Sequence, residues 1–349
     1  MKRLAVLLGV VALAGCGNPE TYSPVEAPVD PSEDTIRQPT QTLADDFTPP
    51  NFLVAFTADT DRGSTARSVF ELVKNEGAEA VLVAGDLAYD ENDPQEWFAL
   101  VDDVLGADFP VFACVGNHDA GDWNEYTTWL EQRAIDVGAV WSGDMGVESE
   151  LVYQDLKIVL LGAGTLGSTS TQEAYLADQL NNSTKVWEIA CWHKNMEQMQ
   201  IGGKTDETGW GVYENARMGG ALIMTGHEHS YARTNLLSDM SSQTVIDTES
   251  PYTIAEGQTI AVVTGLGGRS IRDQSRCLPS PYPYGCGNTG GSIYASDQGA
   301  DYGALFIEFH VDGDPYKAHA YFKDINGNVI DMYDLVKQVA VGTGVPERS

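Results

Sequence analysis

Ala80-Val81-Leu82-Val83-Ala84-Gly85-Asp86-Leu87-Ala88-Tyr89 decides the fold: an unbroken apolar run, a glycine, a carboxylate and, three places on, a phenol. A short continuous apolar run closed by a turn residue reads as a buried strand, and burial on both faces belongs to a sheet covered by helices. Toward the N-terminus, Phe52 to Ala58 is a second such run, ending at Asp59. Between the two, Ser64 can cap a helix carrying Ala66, Val69, Phe70 and Val73, which Gly77 ends. Toward the C-terminus, Asp93-Pro94-Gln95-Glu96 joins a capping aspartate, a first-turn proline and a glutamate three residues after the cap. Trp97, Phe98, Val101, Val104 and Leu105 follow at helical spacing, and Phe109 to Val115 is a third strand running into Gly116-Asn117-His118-Asp119. A βαβ series implies parallel strands whose carboxyl ends share one edge, where ligands bind.

The pattern then changes. Leu151 to Tyr153 and Lys157 to Leu161 read as a hairpin, Gln172 to Asn182 as a helix, and Val186 to Trp192 as a strand leading into His193. Tyr213 to Met218 is a short helix, and Ala221 to Thr225 is the strand before Gly226-His227-Glu228-His229. Thr259 to Thr264, Ala304 to His310, Ala318 to Lys323 and Val329 to Tyr333 are further strands, the last two joined through Asn326-Gly327 as a hairpin. The expected assembly is a mixed sheet plus a more antiparallel second sheet, with helices outside.

Asp59, Asp86, Tyr89, Asn117, His193, His227 and His229 thus all follow strand-like runs. Carboxylate, amide and phenolate oxygens with imidazole nitrogens suit hard and borderline metal ions, and a sheet edge would deliver them side by side. Four of the six histidines lie in these segments, whereas His310 and His319 fall in late strands and read as ordinary core or surface residues. Gly265-Leu266-Gly267-Gly268 reads as a turn near the pocket rim. Asn195 to Trp210 is long enough to serve as a mobile lid.

Gly85-Asp86-Leu87-Ala88-Tyr89, Gly116-Asn117-His118-Asp119 and Gly226-His227-Glu228-His229, taken in order with Asp59 and His193, resemble the calcineurin-like metallophosphoesterases, and within them most closely the purple acid phosphatases. The resemblance runs from about Phe52 to Tyr231. It implies the metallophosphoesterase fold, a four-layer α/β/β/α sandwich of two mixed β-sheets flanked by helices. It also implies two metal ions bridged by Asp86, with Asp59, Tyr89 and His229 completing the first and Asn117, His193 and His227 the second. A tyrosine at this offset binds ferric iron in the purple subgroup. The ions would then be Fe(III) with Zn, Mn or Fe(II) if Tyr89 ligates, and otherwise two divalent ions. The pattern departs at Asp59-Thr60-Asp61, where the wider family has histidine and the purple subgroup glycine in the third place. Asp61 is either an extra ligand or a strand-end residue turned outward. The implied activity is a metal-held hydroxide attacking phosphate monoesters, or diesters as well, with His118 protonating the leaving alcohol and Asp119 or Glu228 orienting an imidazole. Lys194, Arg233 and Arg269 stand beside site segments as candidate phosphate-holding cations or as plain surface charges. The alternatives are a phosphodiesterase or nucleotidase of the same family, or a non-catalytic surface binding lipoprotein on this scaffold.

Of 349 residues, 42% are apolar and 20% charged, enough for one large core. The formal charge of −31 repels polyanions, so nucleic acid is not expected as a stable partner. Lys2 and Arg3, an apolar run to Leu13, and Leu13-Ala14-Gly15-Cys16 resemble a bacterial lipoprotein signal, with a plain secretory signal as the alternative. Residues 1–15 are then a signal peptide, and 16–50 a lipidated Cys16 with a Pro/Thr/Ser/Asp/Glu-rich tether. Residues 51–340 are the phosphoesterase domain and 341–349 a tail. The expected location is exported and membrane-anchored through Cys16, in the outer membrane or periplasm or on the cell surface. Cys277 and Cys286 flank a Pro/Gly/Tyr loop as a disulfide would in an exported chain. Cys114 and Cys191 read as buried small hydrophobes, with pairing between them open. Oligomeric state is not legible.

Overall fold

β1 (Phe52–Thr57), α1 (Ser64–Asn75), β2 (Ala80–Val83), α2 (Pro94–Val104) and β3 (Val111–Ala113) form a βαβαβ run whose three strands pair in parallel. The cap of α1 is Gly63, with Ser64 inside the first turn. In α3 (Trp123–Asp136), Trp123, Tyr126, Leu130 and Ala134 make a buried stripe. Polar Asn, Glu, Thr and Gln residues between them mask this helix in the sequence pattern.

The chain continues through β4 (Val140–Asp144), β5 (Glu148–Tyr153), β6 (Leu156–Leu161), α4 (Thr169–Asn181), β7 (Glu188–Cys191), α5 (Trp210–Gly219) and β8 (Leu222–Thr225). It then runs through β9 (Tyr231–Thr234), β10 (Leu236–Asp239), β11 (Thr244–Asp247), β12 (Tyr252–Ile254), β13 (Ala261–Thr264) and β14 (Gly290–Tyr294). The last strands are β15 (Gly303–Phe309), β16 (Lys317–Asp324) and β17 (Val329–Lys337). This computed structural model describes residues 49–89, 94–276 and 289–338. The leader, Cys16, nearly all of the tether, the Asp93 cap, the Cys277–Cys286 pairing and the 341–349 tail lie outside the described residues.

Two mixed sheets result, in the orders β12-β17-β16-β15-β1-β2-β3 and β14-β9-β13-β8-β7-β6-β5-β4. The late strands do not build a more antiparallel second sheet. Instead β15 pairs antiparallel with β1 and extends the first sheet, while β6, β7, β8 and β13 run parallel at the centre of the second. The cause is that α4 and α5 are crossovers, each returning the chain to the same sheet edge before the next strand.

Period-two alternation assigns the layers. Ile158, Leu160, Ile189, Cys191, Leu222 and Met224 point into the core shared with the first sheet. Their neighbours Val159, Leu161, Ala190 and Ile223 pack instead with Leu176, Val212, Tyr213 and Ala216 of α4 and α5. On the other side α1 covers the first sheet at β15 and packs against α2. The outcome is the four-layer α/β/β/α arrangement.

Contacts between the sheets are partly polar. Cys114 and Cys191 face each other with Sγ atoms 3.7 Å apart, both buried and both free thiols. Arg233 of β9 donates through Nε and Nη2 to both carboxylate oxygens of Asp331 on β17, at 2.7 and 3.1 Å, and its guanidinium lies 4.3 Å from the centre of the Tyr333 ring. Tyr231 Oη also donates to Asp331, at 2.7 Å. Arg233 is therefore a cross-sheet structural cation, correcting its candidacy as a phosphate-holding residue.

Removing one partner of such a pair leaves a buried charge without compensation. Asp331→Ala is expected to lower unfolding free energy by about 3–5 kcal/mol, measured by urea denaturation. The double substitution Arg233→Met with Asp331→Leu is expected to recover most of that loss.

Candidate metal centre

Asp59, Asp86 and Asn117 follow β1, β2 and β3, while His193 follows β7, and His227 and His229 follow β8. The carboxyl ends of the parallel strands in both sheets therefore meet at one place. Backbone hydrogen bonds tie the ends within each sheet, Asp59 N to Gly85 O at 3.1 Å, Thr60 N to Asp86 O at 3.1 Å and Gly226 N to His193 O at 3.0 Å, and Gly267 N to Ala58 O at 2.9 Å joins one sheet to the other. Two glycines permit the approach. A Cβ at Gly116 would lie 2.0 Å from Asp86 N, and one at Gly226 would lie 2.5 Å from Ala58 Cβ. Asp59, Asp86 and His227 take left-handed backbone conformations, with φ of 57°, 53° and 68°. Side chains other than glycine avoid this region except where surrounding structure enforces it, and such residues cluster at functional sites.

Two side-chain groups form around Asp86. In the first, Tyr89 Oη donates to Asp59 Oδ1 at 2.8 Å and lies 3.0 Å from His229 Nε2, which is 3.4 Å from Asp59 Oδ1. In the second, His193 Nε2 lies 3.2 Å from Asp86 Oδ2 and 3.1 Å from His227 Nδ1. The ligand atoms of Asp86, His193 and His227 all lie within 4.8 Å of one another. Asn117 Oδ1 is buried without a hydrogen-bond partner. An orphaned buried acceptor, on the loop whose His118 N–H bonds Asp86, is what a cation would satisfy, and with the carboxylate and imidazole cluster the donor set fits metal ions.

Each imidazole is oriented from behind. His193 Nδ1 lies 2.8 Å from Ala84 O, which can only accept, so Nδ1 carries the hydrogen and Nε2 is left as ligand atom. His229 Nδ1 lies 2.6 Å from Ser270 Oγ, and His227 Nε2 lies 2.8 Å from Glu207 Oε2. Ser270 and Glu207 are not legible as site residues in the sequence. Glu207 belongs to the segment read as a lid, yet no local motif marks it as a partner of His227.

Neither Asp119 nor Glu228 contacts an imidazole through a hydrogen bond among the described residues. The Asp119 carboxylate accepts instead from Leu87 N at 2.9 Å and Gly116 N at 2.8 Å, clamping the Asp86 and Asn117 loops to each other. Glu228 lies 3.5 Å from Arg272 Nη1. Asp61 pairs with Arg269 at 2.8 Å and accepts from Arg62 N, so its carboxylate is engaged outside the cluster. The His118 ring lies against Tyr89 with centroids 4.4 Å apart, and its backbone N–H donates to Asp86 Oδ1 at 2.9 Å. Lys194 pairs with Glu207 at 3.1 Å.

Electrostatics follow from burial and proximity. Burial works against ionising Asp86, but His193 and the His118 N–H outweigh it and hold the carboxyl well below the usual carboxylate range. Burial also works against charging His193, yet Asp86 raises it to about 9. Burial, with Asp59 and Asp86, pushes the Tyr89 phenol far up, so a phenolate there calls for a strongly charged cation in the same space.

The family model of calcineurin-like phosphoesterases matches residues 52–231, just over half of the chain, and the protein belongs to that family. No curated protein matches the sequence. Among solved structures, a purple acid phosphatase from yellow lupin (Lupinus luteus) seeds is similar at a TM-score of 0.58 and 15% identity, over 83% of this chain and 55% of that one. PhoD is similar at a TM-score of 0.50 and 12% identity, over 84% of this chain and 73% of that one. At these identities the likeness is one of fold, and this chain spans little more than half the length of the lupin protein.

Asp119→Ala removes the acceptor for two buried backbone N–H groups and unclamps two ligand loops. Metal affinity is expected to fall about 10–100-fold with far-ultraviolet circular dichroism unchanged, measured by titrating metal-free protein with zinc or manganese.

Proposed function

We propose that the protein is a two-metal phosphoric ester hydrolase of the purple acid phosphatase type, acting on phosphate monoesters. The observation that carries the reading is the cluster of Asp86, His193 and His227, with Tyr89 reaching the same Asp86 carboxylate while held by Asp59 and His229, and with Asn117 Oδ1 left without a partner on the adjoining loop. Bound there, two cations would supply an activated water and neutralise charge growing on the phosphoryl oxygens.

The chain's own groups do the rest. The two oxygens of Asp86 have separate roles, since Oδ2 faces His193 and Oδ1 is fixed by the His118 N–H. The same N–H ties the His118 backbone to the bridging carboxylate, while Tyr89 supports its ring. His118 is only partly buried and can give a proton to the departing alkoxide. The Asp59 carboxylate is divided likewise, accepting from Tyr89 Oη through Oδ1 and from His227 N through Oδ2, so one residue aligns ligands of both groups.

Export and lipid attachment through Cys16 complete the proposal, supported by the leader-like start of the sequence. Among the described residues no helix is long and apolar enough to cross a membrane. The acidic surface would keep polyanionic nucleic acid away from the site.

Exhaustive chelation is expected to abolish hydrolysis of a chromogenic phosphate monoester, and readdition of iron, zinc or manganese to restore it. No turnover at full metal occupancy would overturn the reading. His118→Ala is expected to lower kcat about 10²–10⁴-fold for an alkyl phosphate, whose leaving alkoxide needs a proton, and far less for a nitrophenyl phosphate, whose leaving group does not. If iron occupies the Tyr89 side, the native protein shows a broad visible band that Tyr89→Phe removes; colourless protein holding two divalent ions would exclude ferric phenolate ligation.

A further inference from the structure

The cations that the sequence placed beside the site are all engaged. Lys194 faces Glu207 at 3.1 Å, Arg233 is held by Asp331, and Arg269 pairs with Asp61 at 2.8 Å while lying 4.4 Å from the centre of the Tyr89 ring. A different lysine reaches the ligands. Residues 195–209 form a strap in which Met196, Met199 and Ile201 are buried, and Lys204 on this strap places Nζ 2.8 Å from His227 Nε2.

Among the described residues that is the hydrogen-bond contact of the Lys204 ammonium, and it conflicts with the use of His227 as a ligand. His227 Nδ1 is the atom that faces His193, so coordination through Nδ1 leaves the hydrogen on Nε2. That hydrogen has an acceptor in place, Glu207 Oε2 at 2.8 Å. An N–H that donates to a carboxylate cannot also accept from an ammonium, which has three donors and no acceptor. Glu207 is therefore the compatible partner of a ligating His227, and metal binding there would release the Lys204 ammonium while its backbone stays fixed. Gln200 Nε2 donates to Lys204 O at 2.8 Å, and Ile201 O accepts from Ser275 N at 3.0 Å and Arg276 N at 3.1 Å. A tethered, flexible point charge is then left within reach of the space in front of His227.

We infer that Lys204 is a substrate-binding residue that grips a terminal phosphoryl oxygen and thereby favours phosphate monoesters over diesters. The inference rests on the hydrolase reading above and names the part of this chain that sets its substrate class. A monoester offers one more terminal oxygen and one more negative charge than a diester, and a charge-assisted hydrogen bond to an ammonium is worth most to the more highly charged ligand.

The test compares metal-loaded wild type, Lys204→Met and Lys204→Arg, reading metal content, the dissociation constant of inorganic phosphate, and kcat/KM for a matched nitrophenyl monoester and diester. In Lys204→Met we expect unchanged metal content, phosphate bound about 10–100-fold more weakly, and a monoester-to-diester ratio reduced about tenfold or more. Lys204→Arg, which keeps the charge, is expected to retain most of the ratio. Unchanged phosphate affinity, an equal fall for both esters, or a loss of metal would each overturn the assignment, the last because Lys204 would then be supporting His227. Should loaded wild type hydrolyse neither ester, the hydrolase reading fails, and the phosphate titration alone decides on Lys204.

Discussion

The structure depends on the welding of two sheet edges at Asp86. Each sheet ends its parallel strands in a polar residue, but neither sheet alone holds both halves of the proposed ligand set. Asp59, Asp86, Asn117 and Tyr89 come from the first, and His193, His227 and His229 from the second. Bringing the edges this close forces Asp59, Asp86 and His227 into left-handed backbone, at a cost on the order of 1–3 kcal/mol each. The compensation is local: Asp59 N and Thr60 N bond to the Gly85 and Asp86 carbonyls, His227 N bonds to Asp59 Oδ2, and His118 N bonds to Asp86 Oδ1. Strain and ligand geometry are thus the same feature seen from backbone and side chain.

Much of the fold was legible because buried strands and amphipathic helices leave opposite periodicities in the sequence. The run from Ala80 to Ala84 and the Pro94 helix start needed nothing beyond local chemistry. The sheet assignment of the late strands was not legible, since whether β15 joins β1 or the second sheet is a long-range choice, and an antiparallel hairpin pattern looks the same in either place. The α3 stripe was missed because polar residues outnumber apolar ones over most of its length, and only tertiary contact shows which face is buried.

The site divides in the same way. Residues next to strand ends, from Asp59 to His229, could be singled out in sequence because a strand end fixes where the following side chain emerges. Glu207, Lys204, Ser270 and the Ala84 carbonyl carry no such mark: each meets an imidazole only after the chain has turned back from elsewhere. Arg233 misled for a related reason. It stands four residues after His229, but β9 has begun by then, and alternation sends Tyr231 and Arg233 together into the space between the sheets, where Asp331 receives both. Proximity in sequence to a ligand is a weak guide once a new strand intervenes.

The arrangement of charge also explains how so acidic a protein can present an anion-binding site. A net charge of −31 sets an unfavourable long-range field for a phosphate ester, and salt screens it largely at separations beyond roughly 8–10 Å. Attraction therefore has to be local. The ligand carboxylates Asp59 and Asp86 would be neutralised by the cations they hold, Asp61 by Arg269, and Glu207 by Lys194 and the His227 N–H. What then decides the sign of the field at the site is whichever positive charge is left over once these pairs are satisfied. The strap between His193 and α5 is the element that carries both members of that balance, the Glu207 carboxylate against His227 and the Lys204 ammonium proposed to meet the substrate. On this proposal the fold would hold the ions on strand ends, where position is rigid, and place the substrate-facing charge on a loop, where reach can vary without disturbing them.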